Sequence, residues 1–189
     1  MFAVNQNDQL HGQKGDDTMF GGNGDDKVYG GQGNDTIDAG TGNDRVHGNQ
    51  GNDIITGGDG NDWIGAGIGN DTVNAGTGND KIYGRPGNDI LNGDAGDDYI
   101  HGGQGDDNVN GGDGKDKIFG HHGHDELNGD SGDDYIHGGQ GNDSIDGGAD
   151  TDRCNGAQGN NTIVNCEIED KKMKEEHEEN DDDEGESES

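Results

Sequence analysis

Gly21-Gly22-Asn23-Gly24-Asp25-Asp26-Lys27-Val28-Tyr29 is followed at once by Gly30-Gly31-Gln32-Gly33-Asn34-Asp35-Thr36-Ile37-Asp38, and the same nine-place pattern restarts at Ala39 and at Gly48. Glycine recurs at places one and four, Asn or Asp at five, Asp at six and an apolar residue at eight. Stepping by nine from Gly12 yields sixteen repeats, through Asn155, without insertion or deletion. Place six is aspartate every time: Asp17, Asp26, Asp35, Asp44, Asp53, Asp62, Asp71, Asp80, Asp89, Asp98, Asp107, Asp116, Asp125, Asp134, Asp143 and Asp152. Place eight runs from Met19 and Val28 to Ile145 and Cys154, and only Asp150 breaks the glycine row at place four. A fixed period of this length is the mark of a solenoid, in which each unit buries its apolar side only against its neighbours.

Composition then asks what holds such a chain folded. Apolar residues make up 22% of 189, aromatic residues 4%, and the formal net charge is −32. That balance ordinarily describes a disordered chain, yet the 42 glycines stand in register. An outside source of folding energy that also neutralises acid resolves the conflict, and bound metal supplies both. The single proline, Pro86, and the period of nine exclude collagen. No apolar run approaches the roughly 20 residues of a membrane-spanning helix. Met1 to Leu10 carry neither a basic nor an apolar leader segment, so no signal peptide is legible. Removal of a leader, another export route, or a fragment would each account for that.

The pattern Gly-Gly-x-Gly-x-Asp-x-apolar-x resembles the calcium-binding nonapeptide of the RTX (haemolysin-type) family. The resemblance implies an all-β fold, a parallel β-roll (β-solenoid) with two nine-residue repeats per coil and about eight to nine coils. It implies a six-residue turn and a three-residue strand in each unit. Calcium would lie between successive turns, held by one Asp from repeat i, one from repeat i+2, and loop carbonyls. The chemistry agrees, because Ca²⁺ takes six to eight oxygen ligands at about 2.3–2.6 Å. Glycine at places one and four suits left-handed or crowded backbone, and Asn or Asp at five tolerates it next best. The plain alternative is that the sixth-place Asp only caps its turn, but a cap could equally be Asn, and none of the sixteen is.

Pairing i with i+2 places Asp17 with Asp35 on one edge and Asp26 with Asp44 on the other, which admits up to fourteen Ca²⁺ ions. From Glu167 onward the chain holds 13 acidic and 3 basic residues, leaving −22 on the body, which +28 of calcium would offset. The expected organisation is a degenerate N-terminal cap repeat at 1–11, the sixteen repeats at 12–155, a C-terminal cap at 156–168 and an acidic, disordered tail at 169–189. Within the caps only Asp8 and Leu10 at one end, and Gly159 and Ile163 at the other, stay in phase. Asn161 replaces the next Asp and is expected to leave Asp143 without its last partner; Asp150 is expected to weaken the sites that use Asp152.

Odd repeats should build one sheet and even repeats the other. The odd face reads as Thr and Asn interrupted by Ile54, Ile90 and Glu126, too irregular a row to favour ice binding. The even face carries Lys27, Arg45, Lys81, Lys117 and Arg153 together with Trp63, Tyr99 and Tyr135, the last three spaced by 36. Two readings fit these rings: a stacked ladder that stabilises the sheet, or a docking surface for an acidic glycan or a cell surface. A body of −22 argues against nucleic acid as partner.

Cys154 and Cys166 are expected to form a disulfide that pins the C-terminal cap, worth roughly 3 kcal/mol for a loop of this length. The resemblance supports this, since Asn165-Cys166-Glu167 matches endings of other calcium-repeat chains; two reduced, buried thiols are the alternative. His121, His122 and His124 read either as a transition-metal chelate or as solvated loop residues. No catalytic constellation is visible, so the chain is read as no enzyme. The expected function is a secreted, extracellular calcium-binding module that folds on Ca²⁺ and plays a structural or adhesive part. The alternatives are the repeat region of a larger secreted protease, lipase or polysaccharide-modifying enzyme, and a glycan- or surface-binding module. Oligomeric state has no signature in the sequence.

Overall fold

The computed structural model describes residues 5–169. The described chain is all-β and coils into two parallel sheets of ten and nine strands. Strands of odd repeats, Thr18–Asn23, Thr36–Thr41, Ile54–Asp59 and onward, form the nine-stranded odd sheet; those of even repeats form the ten-stranded even sheet. Neighbours lie eighteen residues apart, with Thr18 beside Thr36 and Lys27 beside Arg45. Each coil is therefore two repeats, and about nine coils stack into a β-roll. The end strands extend the sheet: Leu10 pairs with Val28 in the same register at the start, and Arg153 pairs with Ile168, fifteen residues on, at the finish. No helix among the described residues is long and apolar enough to cross a membrane. The acidic tail beyond Glu169 lies outside the described residues.

Strands are longer than the resemblance implies. From Gln9–Lys14 to Tyr135–Gln140 they run six residues, from place seven through place three of the next unit, as in Lys27–Gln32, and only the strands after these are shorter. The ladder survives past place nine because the corner is made by backbone handedness and not by leaving the sheet. Places two and four carry positive φ in every repeat, as at Gly76 (109°) and Gly78 (134°). Gly76 still pairs in register with Gly58. The left-handed positions are thus two and four, not one and four, and no fifth-place residue adopts a positive φ.

Place one needs glycine because the backbone there is crowded, the other of the two demands expected of it. A methyl group added at Gly57 would stand 2.5 Å from both the Ala75 carbonyl oxygen and Asp62 Oδ2. Place five is occupied by Asn or Asp because its side chain works. Asn52 N–H donates to Asn34 Oδ1 at 2.8 Å, and Asn70 N–H to Asn52 Oδ1 at 2.8 Å, a ladder along the outside of each turn.

Some second places hold residues that resist the left-handed region, among them Arg85 (78°), Asp94 (69°), His121 (74°) and Asp130 (69°). Such conformations cost an L residue about 1–2 kcal/mol. Asp94 also adds its charge to the acid around Asp80 and Asp98. Asp94→Gly should therefore stabilise the calcium-loaded protein by about 1 kcal/mol, read as a higher midpoint in thermal unfolding; an unchanged or lower midpoint would contradict the assignment of strain.

The core is one residue deep on each wall. Eighth-place side chains from Met19 to Cys154 are at most 1% exposed, joined by Ala39, Ala66 and Ala75 at place one. One apolar side chain per nine residues is a small core for this length of chain. The C-terminal end is stapled: Cys154 and Cys166 form a disulfide with Cα atoms 6.0 Å apart.

Candidate metal centre

The sixteen sixth-place aspartates point inward at the turns, and each from Asp17 to Asp134 is brought beside the one eighteen residues on. Asp26 to Asp152 are all no more than 2% exposed. From Asp26 onward one oxygen of each carboxylate is accounted for: Asp17 N–H donates to Asp35 Oδ1 at 2.8 Å, Asp44 N–H to Asp62 Oδ1 at 2.8 Å, and Asp98 N–H to Asp116 Oδ1 at 2.8 Å. The other oxygen, Oδ2, is buried and, among the described residues, has no hydrogen-bond partner at any of the sixteen positions. A buried charged oxygen without a partner is among the costliest groups a fold can carry. Sixteen in two files cannot be an oversight of packing.

The surroundings of Oδ2 show what is wanted there. Oδ2 and the first-place carbonyl of the next coil approach the same point beside first-place glycines from Gly12 to Gly147, as Asp62 Oδ2 and the Ala75 oxygen do at Gly57. Two oxygens, one of them a carboxylate's, flank the place a first-place Cβ would take. Asn161 is the internal control. Its amide nitrogen stands at Gly156 where Asp143 Oδ2 stands at Gly138, and it donates to the Gly156 carbonyl at 2.5 Å. There the side chain supplies a proton donor to a first-place carbonyl, which a sixth-place carboxylate does not. The donor set is carboxylate and carbonyl oxygen alone, which fits a hard cation such as Ca²⁺. Among the described residues no three His, Cys, Asp or Glu side chains gather at one point, as expected if each ion takes two carboxylates and completes its shell from main-chain carbonyls.

Electrostatics agree. Burial pushes Asp107 up to about 8, with the charges of Asp89, Asp125 and Asp106 adding to the effect and the Asp89 N–H bond opposing it. Burial likewise lifts Asp62, Asp98 and Asp134 to about 7 and Asp53, Asp71, Asp89 and Asp116 to about 6. Without a counter-ion these groups hold their protons to higher pH than ordinary carboxylates do.

The files run further than the sequence pattern suggests. Asp8 N–H donates to Asp26 Oδ1 at 2.7 Å, so the first cap is already in register. Asn161 Oδ1 accepts from Asp143 N–H at 2.7 Å, so Asp143 keeps a last hydrogen-bond partner and loses only a second carboxylate. Asp150 accepts the left-handed conformation at 79° without displacing Asp152, whose Oδ1 takes the Asp134 N–H at 2.9 Å. Glu167 closes the even edge, its Oε2 accepting from Asp152 N–H at 2.7 Å. Glu167 had no periodic signal, because it lies fifteen residues after Asp152 and not eighteen.

On the even face, the rings form one continuous stack. His11, Tyr29 and His47 lie parallel with centroids 4.8 and 5.0 Å apart. Gly65 leaves the next rung open, and the Trp63 indole lies across it, 4.8 Å from His47 and 5.5 Å from Tyr83. Arg45 covers that indole, with Cζ 4.7 Å from the ring centroid. Tyr99 and Tyr135 lean onto the same stack, 4.7 Å from His101 and 5.7 Å from Phe119. Trp63, Tyr99 and Tyr135 are thus half-buried and packed against other rings, as a stabilising ladder requires.

The three loop histidines do not converge. His124 takes its turn in the fifth-place ladder, Nδ1 accepting from Asn142 N–H at 2.8 Å, while His122 is exposed and His121 faces His101.

Residues 2–37, 29–64, 38–73, 65–100, 101–136 and 128–163 match the RTX calcium-binding nonapeptide repeat (4 copies). A comparison with curated proteins returned no match. With family matches running from residue 2 to residue 163, on a parallel β-roll whose turns carry buried carboxylates, the chain belongs to the RTX calcium-binding nonapeptide repeat family.

Proposed function

We propose that the chain acts outside the cell as a structural or adhesive module that is assembled by calcium, rather than as a catalyst. The sixteen sixth-place aspartates are its ligands, working across an N-terminal cap (1–11), the repeats (12–155) and a C-terminal cap (156–168). The observation that carries this reading is the double file of buried Oδ2 atoms without partners. Repeats of this family are typical of secreted proteins, and a disulfide suits an oxidising exterior. The aromatic face supplies rigidity, consistent with a rod that holds or spaces something else.

Location follows from affinity. Calcium modules of the exterior have dissociation constants of about 10⁻⁴–10⁻³ M, whereas intracellular sensors work near about 10⁻⁷–10⁻⁵ M. Calcium titration of the chelated chain, followed by far-ultraviolet circular dichroism, should give a folding midpoint in the upper range. A midpoint in the sensor range would overturn the extracellular assignment while leaving calcium binding intact.

A further inference from the structure

His121 and His101 stand apart from the calcium files. His121 occupies a second place at φ 74°, where the register neighbours on both sides, Gly103 and Gly139, are the expected glycines. Those glycines leave room for its ring to lie back toward the preceding even strand. There its Nε2 lies 2.6 Å from His101 Nδ1, with ring centroids 4.6 Å apart. Backbone strain at a residue the repeat does not require is worth an explanation in function.

Two ring nitrogens aimed at one another share a single proton at best, and each could instead offer a lone pair. His101 is held neutral: burial, and then the neighbouring His121, lower it to about 3. Among the described residues its Nε2 has no hydrogen-bond partner, so nothing but the Nδ1 contact fixes its tautomer. Tyr83, Tyr99 and Phe119 pack around the His101 ring and limit its movement.

We propose that His101 and His121 form a two-imidazole site for a first-row transition cation, copper(II) foremost, separate from the calcium files. Imidazole nitrogen favours such ions, and copper(II) binds tightest of the divalent series. Carboxylate and carbonyl oxygen favour calcium, so each site selects against the other's ion. The cation takes the lone pairs of His101 Nδ1 and His121 Nε2; a ring that carried the bridging proton moves it to its other nitrogen, and water fills the remaining positions. No electron is transferred.

The test keeps the protein in saturating calcium, so that the roll is folded throughout, and adds copper(II) alone. His121→Gly and His101→Phe each install the residue that a register neighbour, Gly103 or Phe119, carries at the same place. Circular dichroism checks that both remain folded. The wild type should take up one tight equivalent, with two nitrogen ligands visible by electron paramagnetic resonance. Each variant should bind about tenfold more weakly or worse, since even loss of a supporting group around a metal costs about 10–100-fold. A His122→Gln/His124→Asn double variant should bind like the wild type. Copper binding unchanged in His121→Gly and His101→Phe, or lost in the double variant, would overturn the proposal.

Discussion

In excess chelator at neutral pH, the chain loses its far-ultraviolet sheet signal, and restoring calcium brings it back cooperatively. The argument compares two terms. The favourable term is a core of one eighth-place side chain per repeat, thin for a chain of this length. Against it stand sixteen buried Oδ2 atoms with no partner and a body whose formal charge is −22. Each unpaired buried charge costs several kcal/mol even after relaxation, whereas a typical domain is stable by only about 5–15 kcal/mol. A few vacant positions are enough to exhaust the margin. Cooperativity follows from geometry, because every interior carboxylate touches the coil before and the coil after, so filling one site orders half of the next. The measurement is circular dichroism across a chelator–calcium cycle. A sheet signal that persists in chelator at neutral pH would show that the core suffices by itself.

Acid should partly replace calcium. The sixth-place carboxylates are raised in the folded chain from 3.8 to about 6 at Asp44, Asp53 and Asp125, to about 7 at Asp62 and Asp98, and to about 8 at Asp107, chiefly by burial. A group whose folded value lies above its unfolded value stabilises the fold when protonated. That contribution is complete below about 4 and is lost as pH climbs through about 6–8. Every pH unit by which a folded carboxyl resists ionisation is worth about 1.4 kcal/mol, so a handful of them moves the balance. In chelator, sheet content should therefore be greatest near pH 4 and fall away toward pH 8. With saturating calcium the trend reverses in sign, since protons compete with the ion and apparent calcium affinity rises across the same window. Paired pH titrations by circular dichroism distinguish the two. Chelated protein that gains structure as pH is raised would contradict the burial of these carboxylates.

Much of the design was legible before any coordinates. Unbroken aspartate at place six, with an apolar residue two places on, implied an inward file of carboxylates over a thin core, and Asp17 to Asp152 occupy those positions. What the repeat hid was which place does which task. Glycine at place one looked like a turn residue, but at Gly57 it makes room for two converging oxygens; the handed corner is at place two, where sequence is looser because Arg85 or His121 can pay the strain. Asn or Asp at place five looked like tolerance of unusual backbone, yet it is a hydrogen-bond ladder in which His124 can stand in for Asn.

From its order of residues alone this protein was committed to a nine-residue period, to eighteen residues per coil and to a carboxylate at every turn. Local chemistry suffices for those, because each unit repeats the same backbone demands. Only the coiled structure decided the partners that periodicity does not encode. Glu167 reaches Asp152 over a shortened last coil, Trp63 fills the rung that Gly65 vacates, and His121 meets His101 across twenty residues. Each depends on how far a particular side chain extends across the stack, and reach of that kind exists only once neighbouring coils are in place.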